Sequence, residues 1–211
     1  MKGTLFLISA PSGAGKTTLV HRVLTDLKNE VVLERVITYT TKEPRAGEKE
    51  GRDYHFVSTE QFDQLLAQGF FMEYSKAYTD YYGSPSSILE GLAHGISYLL
   101  IVDRVGTQEI LKKVPDAVSI WIETPSLEIL RQRLEGRATE APEKIERRLL
   151  RAQQEISLEK TDPLFKYHMV NDRLQETVFQ LKVIVCQEIR AKRPLFMTFD
   201  GQESWSADKS I

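Results

Sequence analysis

A single cysteine, Cys186, is all the thiol the chain has, so an intrachain disulfide is excluded and a reducing, cytoplasmic setting is the expectation. Histidine is also scarce: His21, His55, His94 and His168 are scattered, without metal-ligand spacing to one another or to Cys186, which argues against a zinc site. No apolar run approaches the ~18 residues that cross a bilayer. The short run Leu5-Phe6-Leu7-Ile8 behind Lys2 leads straight into a glycine-rich motif and reads as a first strand rather than a signal peptide. Charge of one sign is missing too. With Lys+Arg at 28, Asp+Glu at 30 and a formal net charge of −2, neither nucleic acid nor an anionic membrane is an expected bulk partner. Internal repeats and low-complexity tracts are absent.

What is present suits one α/β unit. The 211 residues, 41% hydrophobic and 27% charged, can bury a sizeable core. Apolar runs at 4–9, 33–38, 98–102, 118–122 and 167–170 alternate with helical patterns, which predicts βαβ units around a five-stranded parallel sheet buried on both faces. Helices are predicted over 59–68, where Ser58 and Gln61 form a capping box, from Pro125 to Gly136, after Pro142, and over 173–191. The turn-rich segment 38–85 reads as an insertion between a core strand and a core helix. The stretch 196–211 lacks periodicity and is expected to be a frayed tail.

The strongest chemical signal is Ala10-Pro11-Ser12-Gly13-Ala14-Gly15-Lys16-Thr17, placed between the first strand and a helix carrying Leu19, Val20, Val23 and Leu24. It matches the phosphate-loop pattern G-x-x-x-x-G-K-[ST] apart from Ala10 at the first glycine. Gly13 and Gly15 let backbone N–H groups curl around phosphate oxygens at a helix N-terminus. Lys16 supplies charge to the β/γ-phosphates, and the Thr17 hydroxyl is the candidate Mg²⁺ ligand. With Thr18 these residues make up the expected ATP site.

A phosphate loop does not name the acceptor. Beyond it, the chain resembles the guanylate kinase family over about 4–190. The marks are Ser9–Thr18, Thr40-Thr41-Lys42-Glu43-Pro44-Arg45-Ala46-Gly47-Glu48, Gly51-Arg52-Asp53-Tyr54-His55-Phe56-Val57-Ser58, Phe71-Met72-Glu73-Tyr74, Tyr81-Tyr82-Gly83-Ser84, Arg133-Leu134-Glu135-Gly136-Arg137 and Val170-Asn171-Asp172. The resemblance implies a P-loop fold over 1–195, with core segments 1–37, 86–124 and 156–195, a GMP-binding subdomain at 38–85 and a helical lid at 125–155. It implies ATP-dependent phosphorylation of GMP and dGMP with Mg²⁺, in purine nucleotide metabolism. Arg45, Lys42, Tyr54 and Tyr82 would hold the GMP phosphate. Glu73 would accept from guanine N1–H and the 2-amino group, with Thr38, Gly83, Ser84 and Asp103 around the base. The lid would bring Arg133, Arg137 and Arg148 to the transferring phosphoryl group, and Pro125 and Asn171 would border adenine. Association with a second copy is left open.

The chain departs from the family pattern in several places. Lys42 stands for a phosphate-gripping arginine, which keeps charge but loses the planar fork. Thr38 stands for a base-reading serine. The family's Asp-x-Asp-x-Gln-Gly is here Ile101-Val102-Asp103-Arg104-Val105-Gly106; with Gly106 as anchor, Asp103 falls on the base side and Ile101 replaces the carboxylate near the metal. Ala138 and Arg173 replace a lid glycine and an aspartate. Two other readings compete: a kinase for a different small phosphate such as a ribose bisphosphate, and a non-catalytic protein-binding module. Neither accounts for Lys16, Thr17, Glu73 and the lid arginines together.

Overall fold

The computed structural model describes residues 2–45, 47–77, 79–136 and 142–192. In chain order they form β1 (Leu5–Ser9), α1 (Lys16–Leu27), β2 (Leu33–Arg35), β3 (Tyr39–Thr40), β4 (His55–Phe56), α2 (Thr59–Ala67), β5 (Phe71–Ala77) and β6 (Asp80–Pro85). Then follow α3 (Ile88–Ala93), β7 (Ser97–Ile101), α4 (Arg104–Lys113), β8 (Val118–Glu123), α5 (Leu127–Glu135), α6 (Pro142–Thr161), β9 (Tyr167–Val170) and α7 (Leu174–Ala191).

The main sheet is parallel throughout and ordered β2-β7-β1-β8-β9. Strand β1 lies at its centre, and Leu5, Phe6, Leu7, Ile8 and Ser9 are all buried, as a strand covered on both faces requires. Alternation sends Phe6 and Ile8 toward Leu19 and Val23 of α1 and Leu181 and Val185 of α7. It sends Leu5 and Leu7 to the opposite layer, against Ile88 and Leu92 of α3 and Ile110 of α4. All five C-terminal strand ends therefore open on one edge, where such sheets place their ligands.

A second sheet, ordered β4-β3-β6-β5, lies within residues 39–85. Its small core is aromatic: Phe62 of α2 is fully buried and stacks on Phe71 and Tyr81, with ring centroids 4.6 and 5.4 Å apart. Both halves of the Ser58–Gln61 capping box form. Helices α5 and α6 pair through Leu130, Leu134, Ile145, Leu149 and Ala152.

Two expected boundaries are corrected. Main-sheet pairing ends at Arg35 rather than at 38: after one further bond, from Val36 N–H to the Leu99 carbonyl, the chain crosses to the second sheet, where Tyr39 pairs with His55 and Gly83. Strands β2 and β9 are the sheet's two edges, with Glu34, His168 and Val170 exposed, so neither is buried on both faces. Helix α5 starts at Leu127 instead of Pro125, because Ser126 takes the N-cap and its Oγ accepts from Ile129 N–H at 3.3 Å. Arg137, Ala138 and the tail 196–211 lie outside the described residues. Among the described residues no helix is long and apolar enough to cross a membrane.

Candidate active site

The loop between β1 and α1 is shaped by glycines that nothing else could replace. Gly13 and Gly15 have φ of 101° and 93°, and Gly15 is the N-cap of α1. A Cβ on Gly13 would lie 2.9 Å from the Leu130 and Leu134 side chains, and one on Gly15 would lie 2.7 Å from Asn171 Nδ2. Lys16 Nζ donates to the carbonyls of Ala10 at 2.5 Å and Pro11 at 3.2 Å, so its charge is folded over the loop it serves. Thr17 and Thr18 follow in the first turn of α1 with exposed side chains. Asn171, at the end of β9, donates from Nδ2 to the Ala14 carbonyl at 2.8 Å, while its buried Oδ1 has no partner. Expected only at the adenine, Asn171 thus also braces the phosphate loop.

Across the mouth of the main sheet, Glu73 of β5 is 6% exposed. Its Oε1 accepts from Ser84 Oγ at 2.5 Å, and its Oε2 is buried without a partner. Burial above all, with a smaller contribution from the nearby Asp103 carboxylate, pushes its pKa up to about 7. Asp103 caps α4, its Oδ1 accepting from Gly106 N–H at 2.8 Å. A Cβ on Gly106 would come 2.4 Å from Val102 Cγ2, 2.7 Å from Glu73 Oε2 and 3.3 Å from Asp103 Oδ1. Gly106, a mere register marker in the sequence, is therefore the floor on which the two carboxylates meet. Thr38 is buried, and its carbonyl accepts from His55 N–H. Gly83 lies under the Phe71 ring, which would stand 2.8 Å from a Cβ there.

A cationic cluster lies on the neighbouring loop of the second sheet. Lys42 Nζ bonds both Glu48 oxygens, at 2.8 and 2.7 Å, and sits 4.6 Å from the Tyr54 ring centroid. Burial lowers its pKa although Glu48 pulls the other way. Arg45 N–H also donates to Glu48 Oε2, at 2.8 Å. Burial opposes the ionisation of Glu48, yet the bonds from Lys42 and Arg45 outweigh it and hold the carboxyl below its usual range. Tyr54 and Tyr82 face each other with centroids 6.0 Å apart. Burial raises both phenols, Tyr82 to about 12 with Tyr54 adding to the effect, so both are O–H donors at neutral pH. Tyr81 points the other way, onto Phe62, as strand alternation demands.

Of the three lid arginines expected at the phosphoryl group, the two that are described reach different parts of the site. Arg148, 5% exposed on α6, donates to Ser12 Oγ at 2.6 Å, directly on the phosphate loop. Arg133 of α5 donates to the Asn171 carbonyl at 2.9 Å. Ile101, at the end of β7, packs against the core cluster around Ile8 and presents no polar group. Sequence reasoning missed Arg151 and Lys113 (whose Nζ donates to the Met72 carbonyl at 2.5 Å, next to Glu73), because each acts through a tertiary contact, and Glu48, whose partners Lys42 and Arg45 lie within its own loop. Only the spacing of Arg151 three residues after Arg148 could have marked it.

A parallel sheet with a glycine loop and helix N-terminus at its centre, an inserted second sheet with a buried carboxylate, and an arginine-bearing helix pair over the loop define a P-loop nucleoside-monophosphate kinase. The guanylate kinase family model matches residues 2–188. Curated guanylate kinases are similar over most of their length. That of Dechloromonas aromatica is 41% identical over 88% of this chain and 89% of its own, and that of Neisseria gonorrhoeae 42% identical over 87% of each. The crystal structure of guanylate kinase from Anaplasma phagocytophilum superposes with a TM-score of 0.71 at 29% identity, covering 89% of this chain and 86% of that one. The chain belongs to the guanylate kinase family.

Proposed function

We propose that the protein transfers the γ-phosphoryl group of ATP to GMP, and to dGMP through the same base contacts. The carrying observation is the Glu73 carboxylate, buried with one oxygen held by Ser84 and the other unpaired, beside Asp103. Guanine presents two adjacent donors, N1–H and the 2-amino group, which a carboxylate edge accepts; adenine offers no such pair there. Thr38 and Ser84 add hydroxyls at the base, and Gly83 keeps the backbone clear beneath Phe71.

Lys42, Arg45, Tyr54 and Tyr82 hold the acceptor phosphate, which exchanges with Glu48 for the Lys42 ammonium. An acceptor phosphate oxygen attacks the γ-phosphorus in line, and the bond to the β–γ bridging oxygen breaks. Its electron pair stays on the ADP β-phosphate, so no covalent enzyme intermediate is needed. Lys16, with the loop N–H groups of residues 12–18, neutralises the donor phosphates, and Arg148, with Arg133 and Arg137, charge on the moving group. Mg²⁺ fits as a companion of ATP. The exposed Thr17 hydroxyl beside Lys16 suits an ion that takes mostly phosphate and water oxygens, and no three His, Cys, Asp or Glu among the described residues form an all-protein site. Bound there, it would offset phosphate charge. A coupled ADP-release assay across GMP, dGMP, AMP, UMP and ribose bisphosphate tests the reading: turnover of GMP and dGMP alone is expected, and equal turnover of AMP would overturn it.

A further inference from the structure

Helix α6 carries a polar stripe, Arg148, Arg151, Glu155 and Glu159, at spacings of three and four that share one face. Arg148 reaches Ser12 of the phosphate loop. One turn on, Arg151 Nη2 lies 4.0 Å from Asp103 Oδ2, and its Nε donates to Glu155 at 2.8 Å. Two turns further, the buried Glu159 pairs with Arg104, accepts from the N–H groups of Leu164 and Phe165 at 3.0 and 3.2 Å, and lies 2.8 Å from His168 Nε2. Asp103 and Arg104 are sequence neighbours of opposite charge, and each meets its opposite on α6. The lid helix is therefore tied to the start of α4 by two ion pairs, and sliding it one turn so that Glu155 faced Asp103 would set like charges together.

This docking bears on the acceptor base. Asp103 Oδ1 is committed to Gly106 N–H, so Oδ2 is the oxygen with capacity to read a ligand, and it is the one facing Arg151. The 4.0 Å separation is an ion-pair distance, too long for a hydrogen bond, so Arg151 orients Oδ2 by its charge without using its lone pairs. We propose that Arg151 is a positioning residue for base selection. It aims Asp103 at the exocyclic amino group of guanine and thereby ties the helix bearing Arg148 to the identity of the acceptor. The proposal rests on GMP being the acceptor.

The experiment compares wild type, R151A and R151K with GMP and with IMP, which carries the same base without the 2-amino group. For a pair this exposed the expected rise in KM for GMP in R151A is about 5-fold, or ~1 kcal/mol, with kcat held within about twofold. KM for IMP should stay nearly unchanged, so the selectivity for GMP falls by the same factor, and R151K should restore most of it. Adding R151A to D103N should bring no further loss with GMP. An equal rise for both substrates would mean a merely structural residue, and a large kcat loss with both a phosphoryl contact. A lowered KM for GMP would mean that Arg151 competes with the base. Each of these overturns the proposal while GMP turnover by the wild type upholds the proposed function; wild type inert toward GMP refutes both.

Discussion

Glu73→Gln is the substitution with the most to say, because the carboxylate proposed to read guanine also opposes folding once it is ionised. In the native protein its pKa stands at about 7, against 4.5 for a free glutamate, chiefly through burial. At 1.36 kcal/mol per unit, that difference amounts to about 3 kcal/mol against the folded state once the group is fully ionised. The folded carboxyl keeps its proton to higher pH than the unfolded one. Below the unfolded value both are protonated and there is no penalty. It grows as pH climbs from 4.5 to 7 and is complete above 7. A glutamine side chain cannot ionise, so the Glu73→Gln variant should melt above wild type at pH 8 by roughly 6–12 °C, at 2–4 °C per kcal/mol for a chain of this size. The gain should shrink to about a quarter at pH 5. Paired thermal melts at the two pH values measure it, and other titrating groups cancel in the difference. A gap independent of pH would refute the reasoning. The stabilised variant should meanwhile lose GMP: its amide NH₂ faces guanine's donors, raising KM for GMP by about 10-fold or more with KM for ATP unchanged.

The wild-type enzyme should show the same group kinetically, kcat/KM for GMP falling as pH drops below about 7, where Glu73 takes up a proton and can no longer accept from both guanine donors; a flat profile from pH 6 to 8 would count against Glu73 as base reader. Lys16→Ala should cut kcat on the order of 10²-fold while leaving the circular dichroism spectrum intact, and near-normal turnover by the folded variant would remove Lys16 from the chemistry. Gly106→Ala drives a methyl to 2.7 Å from Glu73 Oε2 and should raise KM for GMP by about 10-fold with KM for ATP unmoved; equal damage to both substrates would show a general packing defect. Ile101→Asp should lower the free Mg²⁺ needed for half-maximal rate by giving the metal's waters an acceptor, yet lower the melting temperature, since Ile101 packs on the core; an unchanged Mg²⁺ requirement would place no metal near this strand end.

The parts of the fold written in local chemistry were readable in the sequence. Strand β1 is a continuous apolar run, and the capping box of α2 uses residues three apart. The phosphate loop needs glycines at fixed offsets, which are visible without any fold. Where the sequence misled, a distant partner or a competing local cap decided the outcome. Strand β2 ends at Arg35 because the next residues are claimed by the second sheet, and Ser126 outcompetes Pro125 for the start of α5. Candidate site residues divide the same way. Asp103, Glu73 and Ser84 come together from three elements, and their motifs named them. Gly106 and Arg151 matter through distant residues that stand opposite them, Glu73 and Asp103, which the local sequence does not name.

The central place of β1 also shapes how the chain must be made. Leu5–Ser9 is translated before the rest of the main sheet, yet its two neighbours are Ser97–Ile101 and Val118–Glu123. A ribosome adding about 5–20 residues per second leaves this sticky segment without a neighbour for roughly 5–20 s. The second sheet, contiguous between 39 and 85, can close meanwhile. Newborn chains should therefore acquire the second sheet before the main one, and should be most prone to clumping just before Glu123 clears the exit tunnel. Limited proteolysis of ribosome-stalled lengths would reveal that order as protection of 39–85 ahead of β1; simultaneous protection would contradict it.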